Sequence, residues 1–160
     1  MYKLLVYLLL IGFVMLLHGL QADEEVALQA LFQGKHAINR AAHAAAQQTD
    51  KIKLKEGIVS IDADAARASA MLYLQRNLRL DTANEPLVGS FWKTRAEVLR
   101  LDIVNEDRSF PYTYTSPEYD YSVTLTKPGV VMIVRLVYPR TYNVLGPITW
   151  EIKGAAELVY

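Results

Sequence analysis

Three histidines and a scatter of carboxylates are the residues best suited to acid–base or metal chemistry, and their spacing argues against both. His36 and His43 stand seven residues apart, two turns along one helix face. A metal site usually draws on ligands three or four apart, with others beside them. His18 closes an apolar run, with no clustered carboxylate next to it. The chain has no cysteine, which removes thiolate ligands, disulfides and a lipidated cysteine behind a leader. Asp62 and Asp64 imitate the start of a calcium loop, but Ala65 and Ala66 follow where that pattern needs more ligands and a glycine. They suit an N-cap and a first helical turn instead. Glu56, Glu85, Glu97, Glu106, Asp107 and Glu118 are not paired by spacing for acid–base work. No GxSxG, P-loop or GxGxxG motif occurs. The expectation is a non-enzymatic chain with no catalytic residue, no metal and no cofactor.

Two segments are better suited to contact than to catalysis. Phe110 to Tyr121 holds five aromatics and two prolines in twelve residues. Tyrosine offers large contact area at low entropic cost, so Tyr112, Tyr114 and Tyr119 are candidate contacts for a partner, a glycan or another subunit. The same segment also reads as a hairpin with its tyrosines on the solvent face. The second segment is a stripe of small residues, Gly34, Ala37, Ala41, Ala44 and Ala45, spaced by threes and fours. Small residues let another backbone come close. The stripe fits either another copy or envelope protein, or the chain's own sheet.

The elements that position these residues begin with a hydrophobic leader. Leu4 to Leu17 carries no charge, and the apolar run to Leu20 is roughly 17 residues, the short end of a bilayer span. Lys3 precedes it, favouring a cytoplasmic N-terminus with the remainder outside. Residues 1–22 read as a transmembrane anchor that continues into the next helix, or as a signal segment cleaved near Ala22. Residues 23–50 read as an Ala-rich helical stalk, with Asp23, Glu24 and Glu25 in its first turn, where the helix dipole favours negative charge. Residues 51–160 read as an extracytoplasmic α+β domain. In it, Lys51 to Lys55 is a short strand or a basic loop, and Asp62 caps a helix from Ala63 to Leu80 that would bury Ala65, Ala68, Met71, Leu72 and Leu78.

After Pro86 the apolar period changes from helical to alternating. Glu97 to Asn105, Tyr119 to Thr126, Val130 to Tyr138 and Pro147 to Tyr160 read as strands, the last as one strand or as two around Gly154. Pro128-Gly129 reads as a tight turn. Short connections imply an antiparallel meander of about four strands. The chain has 160 residues, with 17 basic and 17 acidic side chains and a formal net charge of +0, so no basic surface for nucleic acid is expected.

An apolar segment thus leads into GKHAINRAAHAAAQQ (34–48), then into SIDADAARASAMLYLQRNL (60–78), then into strands. This arrangement resembles TadE-like pseudopilins of the tight-adherence (Flp-type) pilus machinery. The resemblance implies a pilin-like α+β fold and a membrane-anchored, non-enzymatic subunit of an envelope or pilus assembly. Such a subunit would work by helix-mediated contact, with homo-oligomers possible and the membrane held through residues 4–20. The early Glu that such proteins carry is missing from Leu4 to Leu17, so no functional residue carries over. The alternative is a secreted or tethered binding domain that uses the tyrosine-rich segment 110–121.

Overall fold

The computed structural model describes residues 2–138, 140 and 146–159. Its first element is one unbroken helix, α1, Tyr2–Ala46, 45 residues long. This is the expected anchor that continues into the Ala-rich helix; only the placing of Asp23, Glu24 and Glu25 in a first turn is corrected. His18 to Ala22 contains neither proline nor a β-branched residue, so nothing stops the helix there. Asp23, Glu24 and Glu25 therefore lie in mid-helix, beyond the reach of any N-terminal dipole.

A second correction concerns α2, Lys51–Lys55, which is a short helix rather than a strand or a loop. The Asp50 carboxylate accepts from the Ile52 and Lys53 amides at 2.9 and 3.1 Å, and that cap outweighs a five-residue alternation. Helix α3, Ala63–Leu78, starts as expected, with Asp62 accepting from the Asp64 and Ala65 amides. Its buried face is Ala66, Ala70, Leu74 and Leu78. Of the expected set only Leu78 is fully buried, while Ala68 and Leu72 face outward. The reason is antiparallel packing on α1: the Ser69 hydroxyl donates to the Ala44 carbonyl and Arg40 donates to Asn77. The small residues of α3 turn toward α1 because they permit that approach.

Three strands, β1 (Glu97–Val104), β4 (Gly129–Tyr138) and β5 (Ile148–Glu157), form one antiparallel sheet in the order β1-β4-β5. The α+β layout is the expected one, with helices first and antiparallel strands after. The strand order is not a simple meander. β2 (Tyr112–Ser116) and β3 (Tyr121–Leu125) pair only with each other, through a 3₁₀ turn at Pro117–Tyr119. Leu125 packs with Val104 and Val131 on the sheet face away from the helices, so Pro128-Gly129 joins two layers instead of two neighbouring strands. β5 is a single strand through Gly154; Tyr160, its expected end, lies outside the described residues, as does Met1. β1 contains a bulge between Val98 and Arg100, which lets Val98 and Leu101 pack toward the helices.

The core lies between the helices and β4–β5. Val130, Met132, Val134, Leu136 and Tyr138 point from β4 into it. Val131 points into the smaller core under the hairpin, so β4 is covered on both faces and its sequence is almost continuously apolar. Two glycines set the helix–sheet distance. A Cβ on Gly34 would stand 2.7 Å from Leu136 Cδ1 and 2.8 Å from Ile152 Cδ1. A Cβ on Gly154 would stand 3.0 Å from both Ile38 Cγ2 and Asn39 Oδ1. Each element is thus hollow where the other is bulky.

Gly34→Leu is expected to lower the unfolding free energy by about 1–3 kcal/mol through overpacking. Gly12→Leu, with no atom within 4 Å of its added Cβ, is expected to leave it unchanged. Denaturant titration of the full chain in detergent compares the two, and equal effects would refute the interlock.

Candidate functional site

The most distinctive surface is the first half of α1. Its large apolar side chains from Leu4 to Leu17 are all exposed, Leu9 and Met15 among the most open. Among the described residues it is the one helix long and apolar enough to cross a membrane, and none of its apolar stretch is buried against the rest of the chain. From Leu4 to Leu20 the helix rises about 25 Å, somewhat less than the ~30 Å hydrocarbon core.

Burial begins abruptly at Asp23, which is 2% exposed. From there Ala27, Ala30, Gly34, Ala37, Ile38, Ala41 and Ala45 form the inner face of α1. A carboxylate at the head of an apolar stripe needs partners. The Tyr138 hydroxyl donates to Asp23 Oδ1 at 3.3 Å. Arg140 Nη1 donates to Asp23 Oδ2 at 3.3 Å and to Glu24 Oε1 at 3.2 Å. The end of β4 is thereby tied to the helix where the helix leaves the head. Rings gather at this neck. Phe91 and Trp150 each stack on Tyr138 with centroids 6.0 Å apart, and Trp92 meets Phe91 edge-on at 5.7 Å. The Trp92 ring lies 3.7 Å from where a Cβ on Gly34 would stand.

Of the residues singled out for helix contact, Gly34, Ala37, Ala41 and Ala45 are buried inside the chain's own core. Ala44 is half-buried, its carbonyl accepting from Ser69 and from the Gln48 side chain. The stripe is covered by α3 and the sheet, one of the two uses its composition allowed.

The tyrosines are likewise committed. Tyr112, Tyr114 and Tyr119 are half-buried, and Thr113, Thr115 and Thr124 occupy the outward face of the hairpin in their place. The Tyr114 hydroxyl donates to Asp102 Oδ2 at 2.5 Å. Arg108 lies over the Tyr112 ring at 5.4 Å, and Arg100 over Tyr119 at 6.0 Å. The solvent-face arrangement is reversed because the sheet below supplies apolar partners, Val104 and Val131. Burial first, then the bond to Asp102, pushes the Tyr114 hydroxyl up to about 12.

Elsewhere, ionisable groups form structural pairs. Lys53 holds Glu106 down to about 2. Arg135 bridges Glu97 and Glu151 across the sheet. His36 and His43 are exposed, and among the described residues no three His, Asp or Glu side chains gather into a metal-holding group. The neck partners Tyr138 and Arg140 and the rings Phe91 and Trp150 were missed by sequence reasoning. No local signal could have found them, since 115 residues separate Asp23 from Tyr138.

Fold and site together define a class of architecture: a head on a helix, in which one continuous helix is free and apolar in its first half and the spine of an α+β head in its second. Comparison with protein-family models, curated proteins and solved structures finds no match to this chain.

Asp23→Asn leaves Arg140 with Glu24 alone in a mostly buried setting. A loss of roughly 1–3 kcal/mol in head stability is expected, and the double variant Asp23→Asn/Arg140→Gln should lose less than the two single losses added. A denaturant-based double-mutant cycle measures this; strict additivity argues against the tie. For Tyr114 the folded pKa lies above the unfolded one, near 10. Its hydrogen bond therefore contributes fully below about 10 and is lost as pH rises through about 12. In an ultraviolet absorbance titration the last tyrosine step should vanish in Tyr114→Phe.

Proposed function

We propose that this chain is a membrane-anchored, extracytoplasmic, non-enzymatic subunit of an envelope or pilus assembly, similar in plan to pseudopilins. One observation carries the reading: α1 runs without a break from an exposed apolar half into the spine of the head. Such a helix presents its outer half to lipid and to other helices while its inner half keeps the head attached. Helix-mediated contact then belongs to the free half, Leu4 to Leu17, because the small-residue stripe is already occupied. Lys3 supports a cytoplasmic N-terminus. Continuity of the helix through Gly19 and Ala22, with Asp23 locked at the neck, supports an anchor that is retained over a leader that is removed. The secreted or tethered binding domain has less support, since Tyr112, Tyr114 and Tyr119 lean onto the protein itself.

Intact mass of the protein recovered from membranes is the direct test of the anchor. The expected result is a chain that still includes residues 1–22 and resists alkaline carbonate extraction. A mature chain beginning at Asp23 would falsify retention. For assembly, a photo-crosslinking residue at Val6 or Ile11 should capture a second polypeptide, and labelling of lipid alone counts against a subunit role.

A further inference from the structure

The sheet leaves one long edge unused. β5 ends the strand order β1-β4-β5, and its ten residues pair with β4 in an unbroken register. In an antiparallel ladder alternate residues turn their N–H and C=O groups away from the partner strand. Among the described residues no backbone group pairs with that outer edge of β5. Sheets ordinarily blunt such an edge with proline, a bulge or short length. β5 has none of these, whereas β1, the opposite edge, carries its bulge. The end of β5 runs beside a cleft of about 370 Å³, lined by Val123 and Leu125 of β3, Ala155 and Ala156 of β5, Val159, and His43 of α1. Ala155 packs toward the hairpin and is small, which leaves the cleft open beside it. Two residues earlier, on the same face of the strand, stands Lys153. Glu151 pairs with Arg135, but among the described residues Lys153 is in no ion pair.

A second copy does not fit this edge once α1 is anchored. α1 and β5 run the same way, since Gly34 lies by Ile152 and Ile38 by Gly154. Two β5 edges joined about a two-fold axis pair antiparallel, which points the two apolar helix halves in opposite directions. The bulge in β1 interrupts a ladder between β5 and the far edge of a neighbour. That exclusion alone rests on the anchored reading. We propose that the outer edge of β5 binds an extended segment of another polypeptide as a fourth strand. The segment carries an acidic side chain opposite Lys153 and, two positions away, a large apolar one opposite Ala155 that enters the cleft. The full-length protein in detergent micelles is panned against displayed random decapeptides, and the selected peptides are synthesised. The expected selection holds an acidic and a large apolar residue two positions apart. Bound peptide should slow amide exchange at alternate residues of β5 from Lys153 to Glu157. N-methylating alternate peptide residues should abolish binding in one phase and spare it in the other, and Lys153→Glu should weaken binding up to about fivefold. Failure to select any peptide, or binding that leaves β5 exchange unchanged, overturns the site and leaves the anchor untouched. Exchange that slows with protein concentration alone shows copies pairing at this edge and overturns the proposed occupant.

Discussion

The closeness of α1 to the sheet is the constraint on which the rest of the molecule depends. Gly34 lies under Leu136 and Ile152, and Gly154 lies under Ile38 and Asn39. Interiors pack to crystal-like density, so a bulky side chain on one surface requires a hollow on the other. The alanines along the inner face of α1 extend this rule in both directions. Toward the far end they let α3 lie close enough for Ser69 to reach the Ala44 carbonyl. Toward the neck, Tyr138 and Trp150 share a core with Ala27 and Ala30. With larger residues along α1, the second helix could not come as close.

The same helix carries two kinds of surface. From Leu4 to Leu17 it is apolar on every side. From Asp23 onward one face is small and buried, while Glu24, Glu25, Lys35 and His36 face outward. The change falls within about one and a half turns, and the tie among Asp23, Tyr138 and Arg140 sits on it. A buried carboxylate contributes little to stability when its desolvation is set against its pairing. It does link two elements, because both of its printed partners, Tyr138 and Arg140, come from the end of β4 or just beyond it. The tie therefore defines where the head stops and the free helix begins.

Much of the fold was legible in local pattern. The Asp62 cap, the alternation from Glu97 onward and the β-branched run from Val130 are short-range signals that the backbone obeys directly. Errors arose where a local pattern was satisfied in two ways. Lys51 to Lys55 alternates like a strand, yet one capping carboxylate turns it into a helix. Asp23 to Glu25 resembles an acidic first turn, yet the helix had already begun far upstream. Ala68 and Leu72 lie at helical spacing, but the face of α3 that buries was chosen by the partner helix. The tyrosines of the hairpin turned inward because Val104 and Val131 lay beneath them, a fact held in other strands.

The sequence by itself determined composition-bound and period-bound properties: an uncharged apolar run of spanning length, an Ala-rich helix after it, a second capped helix and a set of alternating strands. These follow from interactions between residues a few positions apart, which any reader of the chain can count. Tertiary structure decided which surfaces remain free. It assigned the small-residue stripe to the chain's own sheet, placed β2 and β3 in a layer of their own, and brought Arg140 and Tyr138 to Asp23 across more than a hundred residues. Burial depends on what lies opposite a face, and hydrogen-bond pairing at the neck depends on strand register. Neither is a property of a segment alone, so the site at the neck exists only once the chain has folded.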